Sequence, residues 1–104
     1  MRKAKVYVRG REAGTLTEVL QGKEYMFEYL AGYNGLEVSR TMPTKEKEYR
    51  FNSFPPFFDG LLPEGVQLDG LLNLKKIDKY DYFSQLLAVG NDMVGAVTVI
   101  EAEE

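Results

Sequence analysis

The residues with the clearest potential for chemistry are two carboxylates, Asp59 and Glu64, five positions apart in the segment FPPFFDGLLPEG (residues 54–65). Paired carboxylates can act as general acid and base or bind Mg²⁺. Carboxylates beside predicted helix starts are also explained by the helix dipole and by free backbone N–H groups, and we favour that explanation. Asp59 could also make a polar contact across an interface.

Histidine and cysteine are absent from the 104 residues. Their absence removes the commonest general base, thiolate chemistry, disulfides and nearly every zinc or non-haem iron site. The phosphate-binding pattern GxxxxGK followed by Ser or Thr is also missing, as are GxGxxG between a strand and a helix and the residues of a kinase catalytic loop. We therefore predict a non-enzymatic chain without catalytic residues, cofactor or metal.

The charge distribution argues against nucleic-acid binding. The formal net charge is −3, and the one dense basic run, RKAKVYVRGR at residues 2–11, alternates with strand-forming apolar residues. We interpret this run as the solvated face of an edge strand, where lysines discourage pairing with another sheet. No direct contact with nucleic acid is predicted. No apolar run approaches the ~20 residues of a membrane span, so we expect a cytoplasmic protein without membrane contact.

Alternating apolar residues predict strands in the first half of the chain. The clearest case is KEYMFEYL at residues 23–30, where Tyr25, Phe27 and Tyr29 fall on one face. Two runs before it form a hairpin whose loop, REAG, is closed by glycines. The predicted strands are residues 5–10, 15–20 and 23–30, with shorter candidates at Leu36–Met42 and Glu48–Phe51.

After Phe54 the pattern changes to a helical period. Pro55 and Pro56 suit a first helical turn, and Pro63 ends that helix after Leu62. A second helix begins around Glu64. Its buried stripe is predicted to consist of Leu68, Leu71 and Leu72.

A third helix is capped by Asp78 or Asp81 and ended by Gly90 as the C′ residue. A closing strand follows at residues 95–100, and the acidic tail EAEE is expected to fray. These elements predict an α+β fold with a small, mainly antiparallel sheet and three short helices. The buried stripe predicted for the third helix is Tyr82, Phe83, Leu86 and Leu87.

The segment FPPFFDGLLPEG combines rigid turns with large apolar side chains. Prolines leave the backbone little entropy to lose, so apolar side chains on such a corner bind with a small ordering cost. This composition favours recognition over catalysis. The alternative is that the segment closes the domain's own core, and both interpretations hold if they concern different faces.

Three segments carry a resemblance to a known family: VYVRGREAGTL, FPPFFDGLLPEG and KIDKYDYFSQLLAVGNDMVGAVTV. In order and spacing they resemble the amino-terminal subdomain of HipA-type serine/threonine kinase toxins, over nearly the whole chain. In the full-length toxins the rest of the kinase follows this subdomain, whereas here the sequence stops at EAEE. The resemblance implies a single domain, residues 1–104, with the fold of that subdomain.

A subdomain without its kinase resembles the HipS-like antitoxins of tripartite HipBST toxin–antitoxin systems. This resemblance implies that the chain binds and inhibits a HipT-like serine/threonine kinase, in a ternary complex with a HipB-like helix-turn-helix DNA-binding protein. The alternative is a non-catalytic amino-terminal fragment of a full-length HipA-type kinase. The reading frame after Glu104 would discriminate between the two.

The partner surface is predicted around the central segment. Phe58 and Leu62 are expected to face the domain's own core, whereas Val66, Gln67 and Leu68 are expected to project towards the kinase cleft. The predicted partner-binding residues are Phe57, Phe58, Asp59, Leu61, Leu62, Pro63, Glu64, Val66, Gln67 and Leu68.

Overall fold

The computed structural model describes residues 1–92 and 95–102. Within these residues it contains a five-stranded sheet and three α-helices, which confirms the predicted α+β class. In chain order the elements are β1 (Arg2–Val8), β2 (Arg11–Leu20), β3 (Glu24–Tyr29), β4 (Glu48–Phe51), α1 (Pro56–Asp59), α2 (Gly65–Lys75), α3 (Tyr82–Val89), a 3-10 turn (Gly90–Asp92) and β5 (Val97–Ala102).

The strands lie in the order β4-β3-β2-β1-β5, and every neighbouring pair is antiparallel. The prediction that the basic run forms an edge strand was wrong, because β5 pairs with the outer side of β1 and places Val99 opposite Val6. Lys5 nevertheless lies exposed between buried neighbours on β1, as the two-residue period of a strand requires. The edge position could not be read locally, since the strand that covers β1 comes from the far end of the chain.

The β1–β2 hairpin turns at Arg9 and Gly10. Both residues have positive φ, 51° and 82°, as a two-residue hairpin turn of the mirror-image type requires. The predicted loop REAG therefore belongs to β2. Gly14 lies within that strand rather than in the turn, and a Cβ atom there would collide with the Glu28 carbonyl group of β3. Because glycine has no side chain, β2 and β3 can pack closely at this position.

The core lies between one face of the sheet and the helices α1 and α3. Its centre is the aromatic face of β3, where Tyr25, Phe27 and Tyr29 are all buried as predicted. Phe27 packs edge-on against Tyr29, with ring centroids 4.9 Å apart. The other buried apolar side chains are Ala4, Val6, Val8, Ala13, Leu16, Val38, Met42, Phe54, Phe58, Phe83, Leu86 and Val99. Burial of each large side chain stabilises the fold by about 1.5–3 kcal/mol.

The loop between β3 and β4 forms no strand at Leu36–Met42, contrary to the prediction, and contains an isolated bridge between Ser39 and Met42. The Tyr29 hydroxyl replaces a strand partner here. It accepts a hydrogen bond from the Val38 N–H at 3.0 Å and donates one to the Met42 carbonyl oxygen. A buried side chain thus satisfies backbone groups that a neighbouring strand would otherwise satisfy.

α3 begins at the predicted cap, since the Asp81 carboxylate accepts a hydrogen bond from the Ser84 N–H at 3.2 Å. α3 ends at Val89, directly before Gly90 as predicted, but Gly90 has φ of −60° rather than the left-handed conformation common for glycine after a helix. Glycine is required there because a Cβ atom would collide with the Val99 carbonyl oxygen.

The predicted stripe of α3 is only partly correct. Phe83 and Leu86 are buried, whereas Tyr82 is 37% exposed and Leu87 is half-buried. β5 runs to Ala102, two residues into the acidic tail that was predicted to fray. The rest of that tail lies outside the described residues.

Candidate partner-binding corner

Residues 54–68, which we call the corner, contain α1 and the start of α2. Pro55 precedes α1 in an extended conformation and Pro56 is its first residue, where the missing N–H costs no helical hydrogen bond. α1 ends at Asp59, earlier than predicted. The chain continues as a turn in which the Leu62 N–H donates to the Asp59 carbonyl oxygen at 3.1 Å. Prolines and short-range hydrogen bonds together make the corner rigid.

The inner side of the corner belongs to the core. Phe58 is completely buried, which confirms its predicted orientation. Its ring lies 6.1 Å from that of Phe27 and 5.2 Å from that of Phe57. Phe54 packs edge-on against Tyr25 at 5.4 Å. The corner is therefore anchored through aromatic contacts with β3.

A second layer of the corner is only partly covered. Phe57, Leu61 and Leu62 pack against the core but remain half-buried. The prediction that Leu62 faces the core like Phe58 was thus wrong in degree, because α1 ends at Asp59 and the following turn carries Leu62 to the margin of the core.

The start of α2 has no side-chain cap. Glu64 precedes the helix in an extended conformation and makes no capping hydrogen bond, so the expected bond to free backbone N–H groups is not formed, although the carboxylate lies at the positive end of the helix dipole. Gly65 has φ of 58°, in the left-handed region that glycine enters without steric penalty. Glu64 and Asp59 are both exposed. The two carboxylates of the corner are therefore available to a partner.

α2 lies on the outside of the domain, and none of its residues is buried. Leu68, Leu71 and Leu72 are half-buried, so the predicted buried stripe is only half covered. The reason is that the main packing neighbour of α2 is the short helix α3. Val66 and Leu74 are 86% and 79% exposed. The helix therefore presents aliphatic side chains directly to solvent.

The structure thus divides the predicted partner-binding residues into three groups by burial. Phe58 is buried and cannot contact a partner in this conformation. The half-buried group is Phe57, Leu61, Leu62, Pro63 and Leu68, and the exposed group is Asp59, Glu64, Val66 and Gln67.

A hydrogen-bonded network that the sequence analysis missed holds α3 to the sheet. The Arg2 guanidinium donates to the Glu18 carboxylate at 2.7 Å. It also donates to Asp81 at 2.9 Å and to the Ser84 hydroxyl at 2.7 Å. The Tyr25 hydroxyl donates to the other Glu18 oxygen at 3.2 Å. Three strands and the first turn of α3 are joined at this point.

The network shifts three pKa values. Hydrogen bonds to Glu18 and then to Asp81 raise the pKa of the Arg2 guanidinium. Partial burial by itself would raise the pKa of Asp81, but hydrogen bonds from Arg2 and Ser84 outweigh it and lower that pKa. Burial, assisted by the charge of Glu18, raises the pKa of Tyr25 to about 12. Arg2 and Asp81 are charged at neutral pH, and the hydrogen bonds from Arg2 to Glu18, Asp81 and Ser84 make the network a structural clamp between the sheet and α3.

The sequence does hold a signal for this clamp. Arg2 shares the even-numbered face of β1 with the buried residues Ala4 and Val6, and Glu18 shares a face of β2 with Leu16. A charge at a core-facing strand position must find a partner, because an unpaired buried charge is very costly. Because Arg2 was assigned to a solvated basic run, its need for a charged partner was not recognised.

Gln85 is a second polar residue that the sequence analysis missed. It lies on α3 and is 1% exposed. Its side-chain amide donates to the Lys79 carbonyl oxygen at 2.9 Å and to that of Asp78 at 3.3 Å. This side chain fixes the loop that joins α2 to α3.

Neither a metal cluster nor a membrane span is found in the described part of the chain. Within residues 1–92 and 95–102, no group of three or more acidic side chains is placed to hold a metal ion. The helices in the same ranges are too short or too polar to cross a membrane.

Comparison with known proteins identifies the family. A model of the HipA N-terminal domain matches residues 4–100. This chain belongs to the HipA N-terminal domain family. An uncharacterized protein of Haemophilus influenzae is 31% identical over 104 residues, which cover all of this chain and 96% of that protein. A solved structure of the N-terminal domain of HipA toxin is 30% identical and superposes with a TM-score of 0.77, covering all of this chain and 95% of that chain.

These findings confirm the resemblance inferred from the three sequence segments. The antiparallel sheet with three helices matches the fold of the HipA N-terminal domain over the whole chain. The Haemophilus influenzae relative consists almost entirely of this domain, since the match covers 96% of its length.

Proposed function

We propose that this chain is the non-enzymatic antitoxin of a tripartite toxin–antitoxin system. It binds and inhibits a HipT-like serine/threonine kinase in the cytoplasm, in a complex with a HipB-like DNA-binding protein. The observation that carries the proposal is the two-sided corner of a HipA N-terminal domain. Phe58 anchors its inner side in the core, while Val66 on its outer side is 86% exposed.

The corner suits inhibition by docking. Its backbone is held by three prolines and by aromatic packing, so little conformational entropy is lost when a partner binds. A domain that binds the inactive kinase more tightly than the active kinase stabilises the inactive state by that difference in binding energy. No phosphoryl-transfer chemistry is needed from the inhibitor itself.

A second candidate function is that of a non-catalytic amino-terminal part of a full-length HipA-type kinase. The solved HipA toxin N-terminal domain supports this alternative. The Haemophilus influenzae protein supports the stand-alone interpretation, because it is scarcely longer than this domain. A stop codon after Glu104, followed by a frame for a kinase that lacks this domain, would favour the antitoxin.

The experiment is co-expression with the neighbouring gene products. We expect the HipT-like kinase and the HipB-like protein to copurify with this chain, and co-expression to restore growth that the kinase alone arrests. Val66→Asp should weaken kinase binding and growth rescue, because it forces a charge into a desolvated contact. The melting temperature should not change, because Val66 is exposed in the free domain. Thr44→Asp, an exposed loop position, is the matched control. Unchanged binding and rescue by Val66→Asp would place the inhibitory surface elsewhere.

A further inference from the structure

The net charge of the chain is concentrated on the corner and α2. From Phe51 to Leu74 the sequence contains three acidic residues and no Lys or Arg. The other 13 acidic residues are balanced by the 13 basic residues of the chain. The three acids, Asp59, Glu64 and Asp69, are all exposed, and none forms an ion pair or a side-chain hydrogen bond with another described residue. Residues 51–74, which hold the corner and α2 up to Leu74, therefore carry a formal charge of −3, equal to that of the whole chain.

An apolar row lies beside one of these carboxylates, that of Asp69. Val66, Gly70 and Leu74 are four residues apart and therefore follow one side of α2. Asp69 is three residues after Val66 and so lies next to it on the helix surface. The basic residues begin only at Lys75, at the opposite end of the helix, ~17 Å along the helix axis from Glu64.

Gly70 adds a separate indication that this side of α2 contacts another molecule. Glycine in the middle of a helix costs about 1 kcal/mol relative to alanine. A Cβ atom at this position would have no neighbour within 4 Å, so packing within the domain does not require glycine. A small residue between two exposed aliphatic side chains permits another backbone to approach closely.

We infer that the outer side of α2 and the acidic corner form one docking surface, and that its occupant is an apolar patch of the partner kinase bordered by Lys and Arg side chains. This inference rests on the proposed function. Charge complementarity selects the occupant, because three unpaired carboxylates favour a cationic border and repel the phosphates of nucleic acid. A second copy of the chain is disfavoured, since it would bring the same three negative charges against this face.

The test compares two triple variants with equal changes in net charge. Asp59→Asn, Glu64→Gln and Asp69→Asn together neutralise the docking surface. Glu37→Gln, Glu46→Gln and Glu101→Gln neutralise three exposed acids on other elements. Association and dissociation rates with the purified HipT-like kinase are measured at about 50 mM and about 500 mM salt, where charges are weakly and strongly screened.

We expect neutralisation of the docking surface to lower the association rate constant ~10-fold at low salt and to remove most of its salt dependence, whereas the control variant behaves like the wild type. Equal rates and equal salt dependence for all three proteins would overturn the inference while leaving kinase binding intact. Absence of binding by the wild type would overturn both the inference and the proposed function. Salt-insensitive self-association of the wild type through this face, measured by sedimentation, would identify a second copy as the occupant and also overturn the inference.

Discussion

Replacing Phe58 by alanine tests whether the corner is anchored as the structure indicates. The side chain is 0% exposed, and its ring centroid lies 6.1 Å from that of Phe27 and 5.2 Å from that of Phe57. Truncating a buried phenylalanine removes its transfer energy and leaves a cavity, at a cost of about 3–5 kcal/mol. For a domain of this size each kcal/mol corresponds to roughly 4–8 °C, so the melting temperature should fall by at least ~12 °C.

The assay is urea and thermal denaturation followed by circular dichroism. Two variants on the same corner calibrate it. Leu62→Ala, at a half-buried position, should cost ~1–2 kcal/mol, and Val66→Ala, at a position 86% exposed, should change stability by less than ~0.5 kcal/mol. A cost of less than ~1 kcal/mol for Phe58→Ala, or equal stability of the three variants, would show that Phe58 does not anchor the corner.

Two further predictions concern α2 and the clamp. Gly70→Ala should stabilise α2 by about 1 kcal/mol and slow amide hydrogen exchange within this helix about fivefold. Gly14→Ala, the contrasting variant, should destabilise the sheet because the new Cβ atom would collide with the Glu28 carbonyl oxygen. Faster exchange in Gly70→Ala would contradict the open environment of Gly70. The lowered pKa of Asp81 means that its stabilising effect is complete above the ordinary carboxyl pKa of ~3.9 and is lost as the pH falls through the lowered folded-state value. The stability difference between wild type and Asp81→Asn should therefore be large at neutral pH and shrink in acid, with exposed Asp59→Asn as control, and a pH-independent difference would refute the clamp.

Most local structure could be predicted because its signals are local. The alternation of Tyr25, Phe27 and Tyr29 located β3 and its buried face. The side chain of Asp81 identified the start of α3, since capping involves only the next few residues.

The errors arose where a partner distant in sequence determines the outcome. The period of Leu68, Leu71 and Leu72 shows that they share a side of α2, but it does not show what covers that side. The segment around Val38 has strand-like residues, yet the Tyr29 hydroxyl occupies its hydrogen-bonding groups.

The sequence by itself determined most of the strands and the three helices, the absence of histidine and cysteine, and the location of a proline-rich apolar corner with two carboxylates. The tertiary structure alone decided that β5 covers β1, that Arg2 clamps α3 to the sheet, and that the outer side of α2 is left open. The physical reason is that backbone geometry and capping act over a few residues, whereas burial and pairing depend on which distant elements the folded chain brings together.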